Sequence, residues 1–393
     1  MNIRQLFLNH VAQTSPTPVG LQVKKARGIY ITALDGKKYI DLISGISVNN
    51  LGHRNEAVVK AIREQTGKYM HTMVYGEHIQ HPQVALAQKL TSLLPQHLNS
   101  VFFTNSGTEA VEGAMKLAKR FTGRTQFVAM KNAYHGSTQG ALSLMDNSYF
   151  TDAYQPLLPE IQFMEYNNLQ QIDLISTKTA AVFLEIIQSE AGYINGEPDF
   201  LIAIKKRCEE TGTLLVIDEI QTGMGRSGSM FAFEKNGIQP DILLLAKGLG
   251  GGLPIGCFIA SKEIMRSLSE NPVLGHLSTF GGNPVCCAAG LAVINEITSK
   301  KLCETVSQKS TLFRKYLNHP SIKAVTGTGL MLGVHLESDE KVQKAMLACY
   351  EEGLLIDWFL HNASALRIAP PLTITLREIR KVCRILNSVL DRV

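Results

Sequence analysis

A chain of 393 residues, 45% apolar and 19% charged, has the composition of a globular protein and length for about two domains. Its net charge of +5 is spread without a basic block, which argues against nucleic acid or anionic membranes as partners. Seven scattered cysteines with no CxxC pair read as reduced thiols of a cytoplasmic protein, and no apolar run has the length of a membrane span.

The opening MNIRQLFLNH has only a three-residue apolar run and predicts neither a secretory signal nor an anchor. Residues 20–42 alternate apolar and polar around Asp35-Gly36, the pattern of a β-hairpin. GISVNNLGHRN reads as a polar loop, and 55–70 and 82–94 have helical spacing. From Asn99 onward short apolar strands alternate with amphipathic helices. The spacing predicts strands at 101–104, 126–130, 181–185, 214–218, 242–246 and 257–260, and helices at 108–121, 199–210 and 284–299. This is an α/β pattern: a mostly parallel sheet between helices, with ligands bound beyond the carboxyl ends of its strands. After residue 300 a charged helix, ITSKKLCETVSQKSTLFRKYL, precedes a hairpin or strand at TGTGLMLGVHL, which suits a smaller second domain. The expected division is 1–54 (hairpin segment, packing with the small domain), 55–299 (large domain) and 300–393 (small domain).

The chemistry centres on LLLAKGLGGGLPIG. Lys247 comes after a strand buried on both faces, where an ammonium is costly. Either it snorkels over the glycines to solvent, or desolvation leaves a neutral amine able to attack a carbonyl and form a Schiff base. In FFTNSGTEAVEG, Ser106, Gly107 and Thr108 stand at a helix N-terminus, which serves as a plain cap or as an anion cradle. Asp218 ends the strand LLVID and needs a cationic partner; a turn cap or, with Glu219, a metal ligand are the other readings. Tyr134, in KNAYHGSTQG, sits at a strand end among small residues, where its ring can lie flat on a planar ligand or be an ordinary half-buried tyrosine. No Walker loop occurs, and the glycine run KGLGGGLPIG fails the G-x-G-x-x-G spacing, which argues against a nicotinamide dehydrogenase. An amine, a carboxylate, an anion cradle and an aromatic plate together fit one ligand, pyridoxal 5′-phosphate. Lys247 then bonds its aldehyde, Asp218 keeps its pyridine nitrogen protonated, the 106–108 turn holds its phosphate and Tyr134 covers one ring face.

The ordered set NSGTEA, YHG, DEIQTGMGR, AKGLGGG and STFGGNP resembles the class III, fold-type-I aminotransferases, in particular the acetylornithine and ornithine enzymes. The resemblance runs from LDGKKYIDL to LRIAPPL and implies a seven-stranded, mostly parallel sheet with a smaller α+β domain. It further implies Ile220 on the ring face opposite Tyr134, Gln221 by the phenolic oxygen, and His135 and Glu185 among the cofactor contacts. It implies Thr279 reaching the phosphate of a neighbouring subunit in a homodimer with shared sites. Glu190 and Arg367 match a switch pair in which the arginine binds a substrate carboxylate, with Ser278 and Ser137 also beside the substrate. Ser137 departs from the family, whose acetylornithine, ornithine and 4-aminobutyrate enzymes have a carboxylate-binding arginine there. Lys131 or a residue of the Ser47–Asn50 loop is the candidate substitute. The expected activity is transfer of an amino group from an amine or amino acid to a 2-oxo acid. An aminomutase or racemase of the same fold, and a non-enzymatic ligand sensor, are the rivals.

Overall fold

The computed structural model describes residues 2–393. The hairpin reading of the first segment holds: β1 (Val23–Arg27), β2 (Tyr30–Ala33) and β3 (Lys38–Asp41) form an antiparallel meander, and Gly36, at φ +90°, makes the turn that an L side chain resists. GISVNNLGHRN is not plain loop. Ser44, Gly45, Ile46 and Ser47 all have φ between +53° and +62°, a single left-handed turn. Three of these residues are not glycine, so the conformation is strained and must be held by its surroundings. Asp41 Oδ1 accepts the amides of Ile43 and Ser44, and Ser44 Oγ donates to Ala369 O.

The large sheet has seven strands: β4 (Ser100–Thr104), β5 (Gln126–Met130), β6 (Ile161–Met164), β7 (Thr179–Leu184), β10 (Leu214–Asp218), β11 (Ile242–Leu245) and β12 (Gly256–Ala260). Between β7 and β10 lies the small ribbon of β8 (Ile187–Gln188) and β9 (Ile194–Asn195). The sheet order is β4-β12-β11-β10-β7-β5-β6, and β12 alone runs against its neighbours. The central strands carry apolar residues at every position because both faces are covered. Val216, Leu244 and Phe258 face the Gly107–Thr122 helix, while Leu215, Ile217, Leu243 and Leu245 face the opposite layer with Leu201, Ile204 and Val293. Each such side chain contributes roughly 1.5–3 kcal/mol on leaving water. Gly113 lets the helix lie close, since a Cβ there would enter the Phe258 ring. β6 is absent from the strands expected from spacing, because an edge strand of only four residues carries no continuous apolar run.

Toward the carboxyl end, the expected long charged helix is interrupted. Lys301, at φ +49°, separates the Pro284–Ser299 helix from the Leu302–Tyr316 helix. β13 (Ala324–Thr326) and β14 (Leu332–His335) form the expected hairpin, extended by β17 (Asn362–Ile368) and β16 (Asp357–Phe359). β15 (Leu354–Leu355) leaves this layer and pairs in parallel with β3, so the hairpin segment at the start of the chain shares a sheet with its end.

Candidate active site

Six parallel strands of the large sheet end on one side, and residues just beyond the carboxyl ends of five of them line one cavity of about 540 Å³. β4 delivers Ser106, Gly107 and Thr108; β5 delivers Tyr134, His135, Gly136 and Ser137; β7 delivers Glu185 and Ser189; β10 delivers Asp218, Ile220 and Gln221; β11 delivers Lys247. This is the crevice where open α/β sheets bind ligands.

Lys247 opens a 3₁₀ turn two residues past β11, at φ +43°, a strained backbone for a lysine. It is partly buried and makes no hydrogen bond or ion pair among the described residues. Burial lowers its pKa below the usual lysine value, against the opposing pull of Glu190. Asp218 is buried, its Oδ1 accepting the Ile220 amide at 2.9 Å and its Oδ2 lying 2.7 Å from His135 Nδ1. Burial works against a charged His135, but the Asp218 hydrogen bond together with the charges of Asp218 and Glu185 outweighs it and raises the imidazole pKa. His135 Nε2 is buried without a partner. Glu219 takes no part in the cavity: it accepts from Thr222 Oγ1 and the Phe233 amide on the other side of the strand end. Glu185 is buried too, and desolvation pushes its carboxyl up to about 7.

At the helix start Ser106 is the N-cap, accepting the Glu109 amide at 3.3 Å, so the cap reading is realised; the first amide groups of the helix still face the cavity rim. Gly107 leaves no room for a side chain, because a Cβ would stand 2.9 Å from Ile220 Cδ1. Thr108 Oγ1 is bonded to Thr138 Oγ1 at 2.7 Å, which ties this turn to the loop after β5. Glu112 completes the tie by accepting from Thr138 Oγ1 and the amides of Gly140 and Ala141.

Glu190 and Arg367 form an ion pair at 2.6 Å behind the Ser189 wall, both nearly fully buried, and neither lines the cavity itself. Burial alone would raise the Glu190 pKa, but Arg367 brings it below the usual carboxylate value. The guanidinium carbon lies 4.7 Å from the Phe359 ring centre, and Nη2 also donates to Trp358 O. Its Nε and Nη1 are buried without partners. Ser278 and Thr279 do not line the cavity: Ser278 Oγ accepts at 3.0 Å from Nδ2 of Asn105, which does line it, and exposed Thr279 is 3.5 Å from Tyr75 Oη. Ser137 is at the cavity, its hydroxyl 3.0 Å from Tyr134 Oη. Lys131 is no substitute cation there, since it pairs with Glu165 at 3.2 Å outside the cavity; Val48, next to the left-handed turn, is the nearby lining residue from the N-terminal loop. Sequence reasoning missed Tyr193, Glu112 and Ser189, whose roles depend on contacts across 26 to 28 residues or on a wall formed by folding.

The donor set fits pyridoxal 5′-phosphate: an unpaired amine with a lowered pKa, a buried carboxylate and a helix N-terminus around a slot that Gly107 keeps open. Residues 11–390 match the family model described as aminotransferase class-III. The chain belongs to the class-III aminotransferases. This aminotransferase is 40% identical to the acetylornithine aminotransferase of Methanopyrus kandleri over 88% of each chain. It is 38% identical to that of Archaeoglobus fulgidus over 96% of this chain and 97% of the other. The fold matches ornithine aminotransferase from Toxoplasma gondii (TM-score 0.92, 26% identity, 99% and 93% of the two chains). It also matches adenosylmethionine-8-amino-7-oxononanoate aminotransferase from Methanocaldococcus jannaschii (TM-score 0.91, 27% identity, 99% and 98%). The aminotransferase therefore has the fold-type-I architecture, uses pyridoxal phosphate, and moves an amino group to a 2-oxo acid.

Proposed function

We propose that Lys247 holds the cofactor, with Asp218 against the pyridine nitrogen and the 106–108 turn at the phosphate. In this reading Tyr134 and Ile220 flank the ring, and Gln221 meets its phenolic oxygen. When bound, the cofactor supplies an aldehyde that condenses with amines and a protonated pyridine that accepts electrons from the donor's reacting carbon. Lys247 Nζ would carry a proton from that carbon to the cofactor's aldehyde carbon, as general base and then acid, a role suited to an amine whose pKa burial has lowered. Asp218, fixed by His135 and the Ile220 amide, keeps its charge aimed at one point without reorganising. Arg367, once Glu190 releases it, would present its guanidinium fork to the carboxylate of the 2-oxo acid.

The donor is proposed to be a primary amine of the ω-amino type. No arginine lines the cavity, and the position that could have supplied one is the neutral Ser137–Tyr134 hydroxyl pair. Donors with an uncharged far end are thus favoured over acetylornithine-like donors whose second group is a carboxylate. A homodimer is proposed from the exposed apolar residues Met70, Met73, Val273, Leu277 and Phe280 around Thr279, with Thr279 serving the partner's phosphate. A cytoplasmic setting and the division 1–54, 55–299 and 300–393 complete the proposal; the cysteines are free, and no described helix is long and apolar enough to cross a membrane.

The observation that carries the reading is the unpaired Lys247 amine on the cavity floor with Asp218. Reconstitution of Lys247→Ala with the cofactor tests it. The visible-edge absorbance of the loaded enzyme and its turnover should both vanish; a variant with unchanged spectrum and turnover would refute the assignment. A panel of amines scored by bleaching of that band in single half-reactions ranks the donors.

A further inference from the structure

Tyr193 lies in the turn between β8 and β9, outside the cavity, and its side chain is completely buried. Its ring stands edge-on to Phe359 at 4.8 Å and lies 5.9 Å from the Arg367 guanidinium carbon. Its hydroxyl donates to Gln221 Oε1 at 2.9 Å. Gln221 lines the cavity, and its Nε2 makes no hydrogen bond among the described residues.

An amide side chain has two faces of opposite polarity, and what fixes one face decides what the other presents. A buried phenol proton needs an acceptor. Gln221 Oε1 is that acceptor. With the amide reversed, the phenol proton would lose its acceptor at 2.9 Å and face an N–H donor instead.

We propose that Tyr193 is a positioning residue. By holding Gln221 Oε1 it turns the Gln221 amide nitrogen into the cavity, so that an N–H meets the phenolic oxygen of the bound cofactor. The inference rests on the proposed function, which puts that oxygen beside Gln221. An N–H stabilises the anionic oxygen, whereas a carbonyl would repel it. Burial pushes the Tyr193 hydroxyl up to about 12, so it remains a donor through the working range. The residue acts through Gln221 and touches no reacting atom.

The test is a pH titration of the visible absorbance of the resting holoenzyme. Tyr193→Phe keeps the ring that packs on Phe359 and Arg367 and removes only the tie. Its midpoint should rise by about one pH unit, the scale of one charge-assisted hydrogen bond. Gln221→Leu should move it similarly, and the double variant no further than Gln221→Leu alone, the signature of two residues acting in series. An unchanged midpoint in Tyr193→Phe overturns the inference, as does a shift that adds fully to that of Gln221→Leu. A raised KM for the 2-oxo acid with no spectral change also overturns it, since the hydroxyl would then serve Arg367. A holoenzyme whose band does not depend on Lys247 instead refutes the underlying site assignment, which separates the two failures.

Discussion

Replacing Arg367 by methionine separates its structural role from its binding role. The methionine stem preserves much of the packing against Phe359 and Tyr193, but Glu190 loses the partner 2.6 Å away. Only the Leu360 amide, at 3.2 Å, is left to donate to its Oε2. Stranding a buried carboxylate costs about 3–5 kcal/mol. Arg367→Met should therefore lose roughly that much stability in denaturant unfolding near neutral pH. The loss should shrink as pH falls, starting above the usual carboxylate range, because burial without Arg367 favours the protonated form of Glu190. Adding Glu190→Gln removes the uncompensated charge and should restore most of the stability. It should not restore activity: kcat/KM for the 2-oxo acid should stay down by about 10²- to 10³-fold, the worth of a charge-assisted pair of hydrogen bonds. The half-reaction of an amine without a carboxylate should change only a few-fold in both variants. Equal stability of the single and double variants would refute the buried-pair argument. Near-normal kcat/KM for the oxo acid would refute the docking argument.

Glu219→Gln isolates a buried carboxyl that desolvation raises to about 7. The folded protein holds this proton where the unfolded chain has lost it, so wild-type stability falls as pH rises from the usual carboxylate value to about 7. The variant should lack that fall and gain up to about 3 kcal/mol over wild type above neutrality, read as the difference between their unfolding curves. Gly136→Ala should weaken cofactor binding by about tenfold or more, because its φ is +136° and a Cβ would overlap Thr108 Oγ1 at the turn proposed to hold the phosphate; equilibrium dialysis of the cofactor checks it. Ser137→Arg should raise kcat/KM for donors bearing a second carboxylate by about 10- to 100-fold relative to simple amines, measured on a matched pair.

Much of the sheet was legible because burial on both faces writes itself locally. LLVID and ILLL cannot be anything but interior strands, and each led straight to a polar residue at its end, Asp218 and Lys247. The hairpin at Asp35-Gly36 was legible for a similar reason, since a turn of that kind requires few residues and strong backbone preferences. The left-handed turn at 44–47 was not, because Ile46 and two serines have no intrinsic preference for positive φ; Asp41 and Ala369, on other elements, impose it.

The sequence by itself determined which residue types stand at the strand ends, and so the cofactor that an amine, a carboxylate and a helix N-terminus can share. Only the tertiary structure decided how those groups are held. It put His135 on Asp218, Tyr193 behind Gln221, Glu190 on one edge of Arg367, and Ser278 behind Asn105. The physical reason is range. Apolar burial and backbone preference act within a few residues and leave a periodic trace, whereas a hydrogen bond between side chains up to 177 residues apart exists only once the sheet has brought its strand ends together.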